Sequence, residues 1–453
     1  MIKNTAFELK ETVTYTGHAR RLLSIALPVM LSYLGHMLVG TADSMMVGQL
    51  GKVPLAAVAL ANSIVVLPMT FGLGISYGVT PLVASAQSRK RFGRIGKLLQ
   101  HSVLLNSIVG ILLVAVTVAI VPFLDKLDQP PQVVAETRTY LVLLGASLAP
   151  LMVFQAFKQW AEGLGFTRQA MVVSLLANGL NVVLNALLIF GYWGFPELGI
   201  EGAGWASLIS RTLMAISMVL YCLYGAQLKT FMPVGKWLRY QLVVFRRLLQ
   251  LGIPMGLQFI FEVGAFVGAV LMAGWISDTA QAAHQIAINL AAITYMIASG
   301  LSSATTVQVG SYAGIKDKTN MRRAWLAATA LVMCLQFCFA IVFFLGRNWL
   351  PTLYNNNAEV ISVASGLLLI AAVFQLSDGV QVVGLGALRG MEDVKIPTYL
   401  TLFAYWVIAL PLGYGLGFGL GLGIEGIWWG LLTGLSLAAV LLANRFWQLT
   451  KVK

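Results

Sequence analysis

Asp43, Glu262 and Asp378 each stand alone in a long apolar stretch of a sequence that otherwise keeps its acids outside such stretches. A carboxylate near the centre of a bilayer costs about 2.5 to 3.5 kcal/mol on insertion scales. Acids in such positions usually face an ion path, a substrate path or a charged partner. The three residues therefore make an ion or substrate path the first functional hypothesis.

Other polar residues have a spacing that suits a network around Asp43. His36 lies two helical turns before Asp43, so both project from one face of a helix. A separate apolar stretch carries Asn178, Asn181 and Asn185, the last two one turn apart. His36 can relay protons, or it can simply pack through hydrogen bonds. Asp43 has a similar structural alternative, in which it is hydrogen-bonded to side-chain amides and only fixes helix packing.

Glu262 and Asp378 have surroundings that disfavour a bare charge. Glu262 lies in a run of phenylalanine, isoleucine and valine over residues 259–266. Asp378 follows a similar apolar run, with Gln375 and Gln381 about one turn to either side. A charged carboxylate in an apolar setting needs a bound cation or a partner.

The composition predicts an all-α integral membrane protein. Hydrophobic residues make up 58% of the 453-residue chain, charged residues only 10%, and the mean hydropathy is +0.82. Such a chain has too little polar surface to cover a soluble globule. Twelve segments are long and apolar enough to cross a bilayer as helices. They run over residues 21–48, 54–86, 95–122, 134–161, 166–192, 199–225, 243–275, 279–312, 321–347, 357–388, 396–420 and 424–448.

The distribution of Lys and Arg predicts the orientation. Of the 30 basic residues, 25 fall on one alternating set of segment ends and loops, four fall on the other set, and Arg211 lies inside the sixth segment. The positive-inside rule then places both termini in the cytoplasm. The net charge of +13 is explained by this topology, because no soluble segment is long enough to bind nucleic acid.

The sequence repeats itself with an even number of segments between copies. Leu-Gly-Ile-Glu-Gly occurs at 198–202 and again at 422–426, and Leu-Leu-x-x-x-x-Pro ends at Pro28 and at Pro254. We expect two pseudo-symmetric six-helix lobes, residues 1–228 and 243–453, joined by a basic cytoplasmic linker at 229–242. Parallel repeats of this kind suit substrate binding between halves and alternating access.

The sequence shows no sign of enzymatic chemistry or of a bound cofactor. It has no phosphate-binding glycine loop, no His-Glu-x-x-His motif and no nucleotide-hydrolysing domain. We expect Cys222, Cys334 and Cys338 to be small core residues, since their spacing is neither a metal-ligand nor a disulfide pattern. Lys158 and Glu162, one turn apart, predict a local ion pair at a helix end, worth well under about 1 kcal/mol.

These features together resemble multidrug and toxic compound extrusion (MATE) transporters, most closely the NorM-type branch. The resemblance rests on the six-plus-six repeat, the order of Pro28, Asp43, Pro254 and Glu262, and two later motifs. These motifs are Ala-Ala-His-Gln at 282–285 and Asp378 before Leu-Arg-Gly at 388–390. The similarity covers residues 21–449 and implies a membrane antiporter that exports organic cations in exchange for H⁺ or Na⁺.

The resemblance also implies roles for individual residues. Asp43, Asn181 and Asn185 match an N-lobe cation-coupling network, and Glu262 and Asp378 match a C-lobe cation site that can hold Na⁺. Two close carboxylates can share a proton, hold Na⁺ or bind a cationic drug, and these uses compete. One departure is Phe374, where many relatives carry a tyrosine, and this loss of an oxygen ligand shifts the balance toward proton coupling.

The remaining expectations concern partners and rival functions. We expect a monomer in the inner (plasma) membrane that contacts lipids and takes cationic amphiphilic small molecules as cargo. A lipid or polysaccharide flippase of the same superfamily is the alternative, and an ion channel or an intramembrane enzyme is less consistent with the pseudo-symmetric repeat.

Overall fold

The computed structural model describes residues 14–232 and 240–451, so part of the expected linker at 229–242 lies outside the described residues. Within the described residues, twelve helices are long and apolar enough to cross a membrane. We number them as follows: α1 Tyr15–Gly48, α2 Lys52–Ser88, α3 Phe92–Lys126, α4 Pro131–Gly163, α5 Thr167–Phe190, α6 Ile200–Tyr224, α7 Leu242–Ile276, α8 Asp278–Gly314, α9 Lys318–Gly346, α10 Ala358–Gly390, α11 Lys395–Gly419 and α12 Gly423–Leu449.

The twelve predicted segments and the all-α class are thereby confirmed. Each helix coincides with one predicted apolar segment, with ends that differ by a few residues, because hydropathy locates the apolar centre of a helix better than its polar ends. The helix α11 is irregular, since it contains two π-helical stretches, Phe403–Ala409 and Gly415–Gly419. Such stretches are rare and often lie at functional sites.

The repeated motifs occupy equivalent places in the fold. Gly199 and Gly423, at the same position of the Leu-Gly-Ile-Glu-Gly motif, both have a left-handed backbone, with φ of +55° and +58°. Only glycine adopts this conformation without strain, so the motif is explained by the turn that opens α6 and α12. The two motifs therefore have the same structural role, which is to form the turn at the start of a helix.

A second pair of repeated contacts fixes how helices pack inside each half. Thr80 on α2 donates to the carbonyl of Gln159 on α4 at 3.2 Å. Thr306 on α8, 226 residues later, donates to the carbonyl of Gly386 on α10 at 2.9 Å. The ends of α4 and α10 are therefore structural equivalents.

The chain forms two compact units whose boundaries fall inside helices. One unit comprises Met1–Met30 and Leu257–Lys453, and the other comprises Leu31–Gly256. Each boundary lies two residues after a repeated proline, Pro28 in α1 and Pro254 in α7. We call the unit that begins at Leu31 the N unit and the other the C unit. The sequence-based division at 229–242 stays a prediction.

Buried hydrogen bonds hold the first part of α1 within the C unit. The ring of His18 is bonded on one side to Gln308 at 2.9 Å and on the other to Asn320 at 3.3 Å. In the N unit, the ring of His101 accepts from the backbone N–H of Gln241, just before α7, at 2.7 Å. The start of α1 is therefore held through its own buried His18, and the start of α7 is held by the buried His101 of α3.

The core of the C unit is rich in aromatic side chains. Phe374 packs its ring against those of Phe266 and Trp428, with centroids 6.2 and 5.7 Å apart. Trp428 donates to the ring of His284 at 3.1 Å. Phe374 is thus an apolar core residue.

The expectation for two of the cysteines was wrong. Cys222 is buried, but Cys334 and Cys338 are exposed on α9. In a membrane protein an apolar residue is as stable against lipid as inside the protein, so hydropathy alone does not place it in the core.

Candidate functional site

The two acids of the C unit lie together in its interior. Glu262 on α7 and Asp378 on α10 are each only 4% exposed, and their charges lie within electrostatic range of each other. The Oε1 atom of Glu262 is buried without a hydrogen-bond partner. The predicted pairing of these residues therefore has a structural basis, and the pair has free capacity to bind a cation or a proton.

Side-chain amides on the same two helices increase this capacity. Gln258 lies one turn before Glu262, and Gln375 and Gln381 flank Asp378; all three are buried. Both amide atoms of Gln375 and the amide nitrogens of the other two have no hydrogen-bond partner. An unsatisfied buried polar group costs about 1 to 3 kcal/mol, so such a cluster commonly binds water or ligand atoms.

Two tyrosines and an arginine complete the cluster, and none of the three was predicted from the sequence as a site residue. The charges of Glu262 and Asp378 reach both Tyr295 on α8 and Tyr405 on α11. Tyr405 lies in the first π-helical stretch and donates to the Oε1 of Gln381 at 2.9 Å. Tyr405 therefore brings a phenolic oxygen to Gln381, one turn from Asp378, from another helix. No local sequence pattern signals these contacts.

Arg389, counted with the loop charges in the sequence analysis, lies in the protein near the acids. Its guanidinium stacks over the ring of Phe259 at 5.0 Å, within the range of a cation–π interaction. It also interacts electrostatically with Glu262, and its buried Nε atom has no hydrogen-bond partner.

In the N unit the predicted constellation is brought together. Asn185 donates to the carboxylate of Asp43 and to Asn181 at 3.4 Å. Asn181 in turn donates to Ser210 on α6 at 3.3 Å. This chain of hydrogen bonds connects α1, α5 and α6 and leaves the buried Oδ1 of Asn185 free to accept another bond.

The partner of Arg211, which the sequence did not reveal, is now identified. Arg211 on α6 donates to the hydroxyl of Ser147 at 2.7 Å. Its charge also interacts with that of Asp43 and with Tyr140. Asp43 therefore has a positive charge of the protein itself nearby.

His36 is not part of the hydrogen-bonded chain at Asp43. Its side chain is exposed on α1 and lies within electrostatic range of Arg211 and Lys158. The helical spacing correctly placed it two turns from Asp43, but the amides of α5 reach the carboxylate and the imidazole does not.

The ion pair of Lys158 and Glu162 forms as predicted, with its atoms 3.8 Å apart. The small stabilisation predicted for this pair assumed that it lies on the surface. That assumption was wrong, since Lys158 and Glu162 are only 4% and 2% exposed. Lys158 also stacks over the ring of Tyr33 at 4.9 Å, and the Tyr33 and Tyr77 hydroxyls are 2.6 Å apart. Both side chains are therefore removed from water near the end of α4.

Metal ligands are sparse in the part of the chain that the structure describes. No group of three or more His, Cys, Asp and Glu side chains is placed to hold a metal ion there. A Na⁺ ion at Glu262 and Asp378 would therefore take its remaining oxygens from amide or phenol groups or from water, a set that suits a hard cation.

The fold and the site define a class: a multi-pass membrane protein built from two repeats, with buried acids facing unsatisfied polar groups. The family model MatE matches this chain twice, over residues 28–187 and 254–415, one match in each half. The chain belongs to the MatE family, which confirms the resemblance found in the sequence. This is a family of transporters and not a class of enzymes.

Relatives with similar sequences span nearly the whole chain. The multidrug resistance protein NorM of Photobacterium profundum is 33% identical, covering 95% of each chain. A probable multidrug resistance protein NorM of Xanthomonas campestris pv. campestris is 34% identical, covering 97% of this chain and 96% of that protein. A solved structure of a multidrug resistance MATE family transporter, in an outward-facing conformation, has a TM-score of 0.88 at 20% identity and covers 98% of this chain and 100% of its own.

Proposed function

We propose that this protein is a secondary multidrug efflux antiporter that exports organic cations in exchange for H⁺ or Na⁺ by alternating access. The observation that carries the proposal is the buried pair of Glu262 and Asp378, whose charges interact and whose neighbouring polar groups are unsatisfied. The names of the NorM relatives, which cover nearly the same length, support multidrug resistance as the biological role.

The acid pair explains how exchange works. Two buried carboxylates are stabilised by a proton, by Na⁺ or by an organic cation, and binding of one disfavours binding of another. The drug enters from the inner side and the coupling ion from the outer side, so each displaces the other. The aromatic residues near the pair, such as Phe259 and Tyr405, suit flat cationic molecules.

Asp43, Asn181 and Asn185 act together in the N unit. Their chain of hydrogen bonds connects three helices, so a change in the protonation of Asp43 alters how these helices are held. His36 lies near Arg211 and Lys158, and we assign it a modulating role on the charge of this region.

The setting of the protein follows from its topology. We assign it to the inner (plasma) membrane as a lipid-embedded monomer, with both termini in the cytoplasm, as the distribution of Lys and Arg predicts. Transport needs no cofactor in this proposal, because an ion gradient supplies the free energy.

The deciding experiment is transport of a cationic dye by the purified protein in liposomes, with a Na⁺ gradient and a pH gradient imposed separately. Dye movement driven by one gradient establishes antiport and names the ion. Asp378→Asn, Glu262→Gln and Asp43→Asn are the test variants, and wild-type export by all three would show that the acids are structural. Absence of dye movement under both gradients, with movement of a labelled lipid, would favour the flippase alternative.

A further inference from the structure

The charged part of the C-unit site consists of two acids and one base. Glu262 and Asp378 interact with each other, Arg389 interacts with Glu262, and Tyr295 is within range of all three. With the acids ionised, the formal charge of this cluster is minus one.

Arg389 is close to the acids without occupying their oxygens. Its guanidinium rests on the ring of Phe259 at 5.0 Å, and its buried Nε is unbonded. The Oε1 of Glu262 is unbonded as well. The arginine therefore contributes its positive field to the site and leaves the carboxylate oxygens available for a ligand.

The repeat shows that this placement of a cation is part of the architecture. Tyr33, which lies 226 residues before Phe259, also carries a cation on its ring, Lys158 at 4.9 Å. Lys158 comes from α4 and Arg389 from α10, which are equivalent helices. In each half, a basic side chain thus lies over the aromatic ring at the equivalent position of the first helix, Tyr33 or Phe259.

The two basic side chains that lie over these rings differ in the acid that lies near them. Lys158 is paired with Glu162 one turn later on α4. Arg389 itself stands near the equivalent turn of α10, and the next acids, Glu392 and Asp393, lie beyond the end of that helix, where Asp393 pairs with Arg445. Lys158 is paired within its own helix, whereas the charge of Arg389 acts on Glu262 of the acid pair.

A buried site of net charge minus one has a definite preference for its cargo. One monovalent cation brings the cluster to neutrality, the state of lowest charging cost in a medium of low dielectric constant. A dication, or a second monovalent cation, leaves an excess positive charge beside Arg389. Charge number thereby becomes a selection criterion, in addition to size and shape.

We infer that Arg389 is a specificity-determining residue that limits the Glu262–Asp378 site to one positive charge at a time and so favours monocationic over dicationic cargo. This inference rests on the proposed function of the acid pair.

Ethidium and propidium form a matched pair of probes, because they share a phenanthridinium ring and propidium carries one further quaternary ammonium group. Both dyes are offered to liposomes containing wild type, Arg389→Gln or Arg389→Lys, under the gradient that drives ethidium. We expect wild type and Arg389→Lys to prefer ethidium. We expect Arg389→Gln to raise the propidium-to-ethidium ratio of kcat/KM by about tenfold, which corresponds to about 1.4 kcal/mol.

Two further variants separate charge from structure. Glu262→Gln combined with Arg389→Gln restores a net charge of minus one, and we expect it to recover the preference for ethidium. Phe259→Leu removes the aromatic seat and keeps every charge, so its preference should stay that of wild type. Dye binding to the detergent-solubilised protein, measured by fluorescence, gives the same ratio for any variant that binds but does not transport.

The outcomes distinguish this inference from the function on which it rests. If Glu262→Gln and Asp378→Asn transport both dyes like wild type, the proposed function of the acid pair fails. If those variants are impaired but Arg389→Gln keeps the wild-type ratio, or Arg389→Lys behaves like Arg389→Gln, the charge of Arg389 does not select cargo and the inference is overturned.

Discussion

The two units place their buried acids in different electrostatic settings. In the N unit, Asp43 has an amide donor and the charge of Arg211, and Glu162 has Lys158. In the C unit, Glu262 and Asp378 interact with each other, only Glu262 interacts with Arg389, and unsatisfied amides lie on the same helices.

This difference separates two uses of a buried carboxylate. Where the protein supplies the counter-charge, the acid stabilises the structure and responds to ligands through its network. Where the counter-charge is incomplete, the missing charge has to come from outside, which is the property expected of a cargo site. Changes in stability upon neutralising single residues test the distinction.

Lys158→Met should give the largest effect. It leaves Glu162 as a buried carboxylate without its cation, and breaking a buried pair in this way costs about 3 to 5 kcal/mol. The measurement is the free energy of unfolding in detergent micelles by denaturant titration. A double variant, Lys158→Met with Glu162→Leu, should recover most of the loss, because it removes both charges. Equal stability of the single variant and wild type would contradict the assignment.

Asp43→Asn should lower the free energy of unfolding by about 1 to 1.5 kcal/mol, because the amide oxygen still accepts from Asn185 but the bond loses its charge assistance. It also leaves Arg211 without its nearby negative charge. The same titration measures the change, and adding Arg211→Gln should restore part of it. No further change upon adding Arg211→Gln would show that the two charges are independent.

Asp378→Asn should change stability in the opposite direction. Without cargo, it removes one of two interacting buried acids and should raise the free energy of unfolding by about 1 kcal/mol. The variant should also lose the stabilisation that bound dye gives wild type, since a ligand stabilises only the state that binds it. Melting curves with and without dye measure both effects. A loss of stability like that of Asp43→Asn would remove the contrast between the units.

Tyr405→Phe should have the smallest effect, a loss of about 1 kcal/mol, because one hydrogen bond to Gln381 is removed and the ring is kept. Tyr414→Phe is the matched control on the same helix, where the side chain is exposed. Both are compared by melting temperature, and an equal shift in the two variants would show that the bond to Gln381 contributes nothing specific.

The fold could be predicted from the sequence because membrane helices are long and uniform in hydropathy. The repeat was also readable, since Gly199 and Gly423 are required by a left-handed backbone and their motif survives in both halves. The meeting of Asp43 with Asn185 followed from helical spacing together with the family resemblance, and the structure brings the two side chains into contact.

The contacts that set the electrostatics could not be predicted. Lys158 and Arg389 lie near the ends of apolar segments, where hydropathy assigns basic residues to loops. Whether such a side chain extends outward or turns onto Tyr33 or Phe259 depends on tertiary packing. Tyr405 reaches Gln381 from a π-helical stretch, and no simple sequence period reports the register of such a stretch.

The division of α1 and α7 after Pro28 and Pro254 has a consequence for the history of the chain. His18 finds its hydrogen-bond partners, Gln308 and Asn320, in the second half of the sequence, and His101 holds Gln241 from the first. Two polypeptides made by cutting between residues 232 and 240 would each lack a helix end that the other contributes. They should assemble when co-expressed and be degraded when made singly, because each unit takes the first part of one helix from the other half of the chain.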